Sequence, residues 1–291
     1  MTTVLNVPNV LGQTCGQLEP FLQLAHQADS CDLQLVLDMR NVDFVYPYAA
    51  LAILDLAMGR EDWGLPLPII LRNLQPEVHK YLERIDLLTQ NSLLLEAESK
   101  LEERWNRSPN SLNVLPITPI GNEDDSLSNT LEAVTRIFST HLGSHTEHVE
   151  SVVRELCQNI RDHSGSTGFI TLQKTVAHPG ANGEARSRLR VAVWDRGQGV
   201  LASLKPRYSH LGTAKAALEG IFEQQLSSRV GLGGTGIFSV ARRAEKFSGS
   251  VWLRSDDAAF SCSPELNYRR ATGGLCRLSG TQAAADFVFA I

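Results

Sequence analysis

Three short runs of the chain combine residue types and spacings that could do chemistry. Glu155, Asn159 and His163 are an acid, an amide and an imidazole at every fourth residue, so on a helix they stack in one row. Asp195-Arg196-Gly197-Gln198-Gly199 closes an apolar stretch with an acid and two glycines. A buried carboxylate there can accept a hydrogen bond from an exocyclic amine such as that of adenine, and the glycines let backbone approach a flat ring. Gly231-Leu232-Gly233-Gly234-Thr235-Gly236 precedes a helix with Ile237, Val240, Ala241 and Ala244 on its inner face. Backbone N–H groups at such a helix start form an anion site, with no side chains to block phosphates. Arg229, just before these glycines, is a candidate phosphate contact. Each run alone has a plainer reading: a surface helix with polar residues at its seam, an Asp-Gly turn, a glycine hinge.

The elements that must position these runs follow from periodicity. Val149, Val152, Val153, Leu156 and Ile160 recur at helical spacing beside the Glu155 row, and Gly165 ends that helix. Phe169–Leu172 and Leu189–Trp194 read as partner strands around a polar hairpin, so Asp195 sits at a strand end. No Gly-Lys-Ser/Thr follows the glycine run, which excludes a Walker loop. The polar segment Glu223–Arg229 before it is no buried strand, which argues against a Rossmann fingerprint. Helix is expected over Leu127–Leu142, and a long mobile loop over Asp256–Gly274. His141, His145 and His148 read as a solvated loop rather than a metal site, since no cysteine or acid completes a set.

The first third alternates strands and helices, which indicates an α/β layer. Strands are expected at residues 4–7, 33–38 and 65–71, and helices at Leu18–Ala25, Ala49–Met58 and from Pro76. Pro47 suits a first helical turn. From Ser99 to Ser128 the chain is charged and then turn-rich; part of it can continue a helix or add a strand over Asn113–Ile117. The division expected is residues 1–105, a linker over 106–125, and 126–291.

Two resemblances sharpen this reading. Asp38–Val45 and Leu71–Leu88 resemble a STAS domain, the fold of anti-sigma-factor antagonists. Where that family has Asp-Ser-Ser-Gly, this chain has Tyr46-Pro47-Tyr48-Ala49, so the phosphorylatable serine is missing and a docking or dimerising module is implied. Glu155-x-x-x-Asn159, Asp195-x-Gly197-x-Gly199 and Gly231-x-Gly233-Gly234-x-Gly236, with Gly249–Ser255 and Gly280-Thr281 after them, resemble in order and spacing the GHKL ATP-binding domain of gyrase, histidine kinases and anti-sigma-factor serine kinases, a Bergerat-type α/β sandwich. The resemblance implies ATP and Mg²⁺ as cofactors. It makes Asn159 the Mg²⁺ ligand, Asp195 the partner of the adenine amine with Thr281 nearby through water, and Gly197 and Gly199 the seat of the base. Gly231, Gly233, Gly234, Thr235 and Gly236 become the phosphate cradle, residues 200–230 a lid, Glu155 a general base, and His163 a support for the helix.

Composition bounds the rest. The chain has 291 residues and a net charge of −5, which argues against broad nucleic-acid or anionic-membrane binding. Its five scattered cysteines form no C-x-x-C pair, which fits a reducing compartment. No signal peptide or bilayer-length apolar run is evident, so a cytoplasmic protein is expected. Two functions compete: an ATPase or protein serine kinase in partner-switching signalling, and a nucleotide-gated interaction protein with little turnover. Both imply a regulatory protein partner and leave homodimerisation open. Glu155 separates them.

Overall fold

The computed structural model describes residues 2–11, 15–28, 30–101, 113–121, 124–142, 145–179, 182–228, 236–263 and 267–290. The chain divides into two compact units, Met1–Ser111 and Leu112–Ile291.

The first unit runs β1 (Thr2–Asn6), β2 (Val10–Leu11), α1 (Glu19–Ala28), β3 (Gln34–Asp38), β4 (Phe44–Val45), α2 (Pro47–Asp62), β5 (Ile69–Arg72), α3 (Pro76–Arg84) and β6 (Leu95–Ala97). Its main sheet has the order β1-β3-β5-β6 with every pairing parallel, and β2 and β4 form a separate parallel pair. Parallel strands need crossover connections, and the helices between them supply these. Pro47 takes the first position of α2, where its missing N–H costs no hydrogen bond. Arg60 is fully buried near the end of α2. Its guanidinium donates to the carbonyls of Ala28, Cys31, Leu33 and Pro66. It thus ties the chain entering β3 to the chain entering β5, its charge offset by hydrogen bonds.

The second unit runs β7 (Val114–Ile120), α4 (Asp124–Leu142), α5 (Thr146–Asn159), β8 (Gly168–Ala177), β9 (Arg186–Asp195), α6 (Gly199–Leu204), α7 (Ala214–Gln224), α8 (Gly236–Lys246), β10 (Val251–Asp256), β11 (Ala258–Ser263), β12 (Tyr268–Thr272) and β13 (Leu278–Ala290). Its seven-stranded sheet has the order β12-β11-β10-β13-β9-β8-β7, with antiparallel pairings throughout. Val134 and Phe138 of α4, Val149, Val152, Val153 and Leu156 of α5, and Val240 and Ala244 of α8 join one core with Leu189, Val191 and Leu253 of the sheet. Side chains alternate across a strand, so Asp195 points to the same face as Val193, the face the helices cover. No helix among the described residues is long and apolar enough to cross a membrane.

The strand that the sequence allows over Asn113–Ile117 is present as β7, which pairs with β8 at the sheet edge, and three other expectations are corrected. Pro116 and Pro119 are tolerated there because an edge strand can spare N–H groups, and the register breaks between Leu115 and Thr118. The loop over Asp256–Gly274 contains β11 and β12, and Ala258, Ala259 and Phe260 are buried. Within the expected lid, α6 and α7 are helices. Phe222 of α7 stacks on Phe260 of β11 with ring centroids 3.7 Å apart, so α7 belongs to the core. His145 and His148 pack on Phe247, His145 also on Phe289, rather than in a solvated loop.

Candidate functional site

The site is built where the end of α5 meets the ends of β9 and β13. The α-helix stops at Asn159, and Ile160–Ser164 continue as a π turn that Gly165 closes at φ 69°. A π turn leaves carbonyls outside the usual ladder, and the first glycine run uses them. Gln198 N–H donates to Ser164 O at 3.2 Å, and Gln198 Nε2 donates to His163 O at 2.7 Å. Gly197 lies so close that a Cβ on it would sit 2.0 Å from Ser164 O. Only glycine permits that approach.

Asp195 is 5% exposed at the end of β9. Its Oδ1 accepts from Gly197 N–H at 2.8 Å, which folds the turn back on the strand. From the other side Gly280, at φ 72°, presses on it: a Cβ there would meet Asp195 Oδ1 at 2.7 Å and Asp195 O at 2.0 Å. Strand register sets two rows on the covered face. Val193, Ala283 and Leu253 stand side by side on β9, β13 and β10, and Asp195, Thr281 and Ser255 form the next row.

These elements enclose a cavity of about 810 Å³, counted out to the open solvent at its mouth. Glu155, Asn159, Asp195, Gly199, Gly236 and Thr281 all line it. Gly197 does not; it acts by seating the turn. The start of α8 faces the end of α5: a Cβ at Gly236 would lie 2.6 Å from Glu155 Oε1 and 3.7 Å from Asn159 Nδ2. A helix N-terminus, with its partial positive charge, therefore opens beside an acid and an amide. Asn159 Nδ2 is buried and has no hydrogen-bond partner among the described residues. Arg229, Gly231, Gly233, Gly234 and Thr235 lie outside the described residues.

His163 also lines the cavity, and its Nε2 lies 3.3 Å from Ser228 Oγ. Arg207 donates to Ser227 O at 3.2 Å. The chain leading toward the second glycine run is thus held at the rim. Sequence reasoning missed Ser203, Ser227 and Ser228 on that rim, and the apolar floor of Val193, Ala283 and Leu253. The floor had a signal: all three lie two residues from Asp195, Thr281 and Ser255 on their strands, as alternation requires.

Among curated proteins and solved structures, no match was found. Residues 144–270 match the family model described as histidine kinase-, DNA gyrase B-, and HSP90-like ATPase. The matched stretch contains Glu155, Asn159, Asp195 and both glycine runs, and it supports an ATP-binding domain of that kind in the second unit.

Proposed function

We propose that the second unit binds ATP with Mg²⁺ and acts as an ATPase or protein serine kinase in a partner-switching type of signalling. The observation that carries this reading is the convergence of Glu155, Asn159, Asp195, Thr281 and the α8 N-terminus on one cavity. Asp195 accepts a hydrogen bond from the adenine amine, with Thr281 beside it. Gly199 lies beside the ring, Gly197 seats the turn that carries it, and backbone N–H groups at the start of α8 face the phosphates. The residues present fit Mg²⁺ bound with phosphate: Asn159 offers a neutral oxygen to the ion, and its amide nitrogen, buried and without a hydrogen-bond partner among the described residues, can donate to a phosphate oxygen. Among the described residues no cluster of three or more His, Cys, Asp or Glu could hold an ion; beside Asn159, substrate phosphates would supply most of its ligands, as is usual for Mg²⁺. When bound, the ion neutralises phosphate charge. Glu155 takes the proton of the attacking group as general base.

The first unit is the docking or dimerising module of this proposal, resembling a STAS domain. Its all-parallel sheet and the start of α2 at Pro47 support that reading. Tyr48 is 2% exposed, so its hydroxyl is a poor substitute for the missing serine. A nucleotide-gated interaction protein is the second reading. The ties from His163 and Arg207 to Ser228 and Ser227 favour it, since they link the cavity rim to the chain entering the glycine run.

Calorimetric titration with ATP, with and without Mg²⁺, tests the site. Binding that weakens strongly in Asp195→Asn is expected; intact affinity refutes the adenine assignment. Glu155→Ala is expected to keep ATP binding and lose phosphate release or transfer. A wild-type protein with no turnover favours the second reading.

A further inference from the structure

Ser255 is fully buried and does not line the cavity, yet it stands in the same cross-strand row as Asp195 and Thr281. Its hydroxyl is committed twice. It donates to Gly280 O at 2.9 Å and accepts from Val200 N–H at 2.9 Å. The first bond holds a bulge, since the β10–β13 register shifts between Ser255 and Asp256. That bulge carries Gly280, the residue pressed against the Asp195 carboxylate. The second bond anchors the first turn of α6, whose Val200, Ser203 and Leu204 wall the cavity. Gly199 sits at φ 75°, and a Cβ on it would come within 2.8 Å of Ser255 Oγ. The glycine there serves this contact as well as any ligand.

We propose that Ser255 is a positioning residue for base recognition: one buried hydroxyl locks the Gly280 bulge to the α6 turn and so fixes the Asp195 carboxylate and the α6 wall relative to each other. The inference rests on the reading of the cavity as an adenine-nucleotide site. An unmade hydrogen bond here leaves Gly280 O and Val200 N–H to relax independently, and a charged acceptor misaligned with its donor loses most of its discrimination.

The test compares ATP with inosine triphosphate, which has the same phosphates but a carbonyl where adenine has its amine. Affinities are measured by calorimetry in Mg²⁺ for wild type, Ser255→Ala and Ser255→Cys. Wild type is expected to prefer ATP. Ser255→Ala is expected to lower the ATP-to-inosine-triphosphate ratio about tenfold, ~1.4 kcal/mol. Ser255→Cys, which keeps a weak donor and acceptor, should fall between. General loosening scales both affinities together and leaves the ratio alone, so a ratio unchanged in both variants overturns the inference. A wild-type protein that binds neither nucleotide overturns the reading of the cavity, and the inference with it. Wild-type binding with an unchanged variant ratio overturns only the inference.

Discussion

Gly197→Ala is the sharpest single perturbation of the site. A Cβ at Gly197 lies 2.0 Å from Ser164 O, 2.4 Å from Ser164 Cα and 2.5 Å from Ser164 C. All three are backbone atoms, so no rotamer change relieves the overlap. Real contacts of this kind stay above 3.0 Å, so turn and helix end must separate by about 1 Å. The displaced residue is also the donor to Asp195 Oδ1, at 2.8 Å, so the carboxylate shifts with it. Overpacking of this severity costs ~1–3 kcal/mol of stability, and melting of a unit this size falls by ~2–4 °C per kcal/mol. A charge-assisted hydrogen bond to the base is worth ~1.5–3 kcal/mol, so ATP affinity should fall by ~10–150-fold. Calorimetric titration and thermal denaturation of the nucleotide-free protein read the two effects separately. Gly212→Ala is the control, because a Cβ there meets nothing within 4 Å. A Gly197→Ala protein that melts and binds ATP like wild type refutes the close approach of turn and helix.

Other outcomes are equally direct. Asn159→Ala should abolish the Mg²⁺ dependence of ATP binding; the same response to Mg²⁺ and to chelator in variant and wild type would sink its role. In the first unit, hydrogen bonds from Arg40, then from Asn73, hold the Asp38 carboxyl well below the usual carboxylate range. A depressed folded pKa stabilises fully above the unfolded value of about 3.9 and drains away as pH falls below it. Asp38→Asn should therefore lose stability at neutral pH, with the gap to wild type narrowing below about pH 4; a gap constant down to pH 3 contradicts this. Burial pushes the Cys157 thiol up to about 12, and burial with Glu245 pushes Cys262 up to about 11. The Thr3 hydroxyl pulls the Cys31 thiol down. Thiolate is the reactive form, so in a brief iodoacetamide pulse at pH 8 Cys31 should label before Cys157 and Cys262, by peptide mass mapping.

What could be read from the sequence was set by how strongly one environment dictated residue type. The α5 face was legible because Val149, Val152, Val153, Leu156 and Ile160 all bury, which leaves a strict period. Asp195 was legible because an acid after Leu189–Trp194 has no business at the end of a buried strand unless something pairs with it. The π turn was not legible, since Ile160–Ser164 differ from an α-helical turn only in which carbonyls they leave open. β12 was obscured by being an exposed edge strand with polar side chains, and the α7 packing by a Phe222–Phe260 contact between distant residues. Ser255 looked like any strand serine, because its importance lies in register.

The strand order of the second unit also bears on how the chain comes into being. β13 is the last strand in sequence, yet it lies between β9 and β10 and alone joins β7-β8-β9 to β10-β11-β12. During synthesis both half-sheets emerge first, each with an inner edge that has nothing to bind. Such edges invite mispairing. A transcript or translation product that stops before Leu278 leaves both exposed and lacks Thr281 beside Asp195. In such a fragment the cavity lacks its Thr281 wall and the sheet lacks its joining strand, so one segment completes both the site and the sheet.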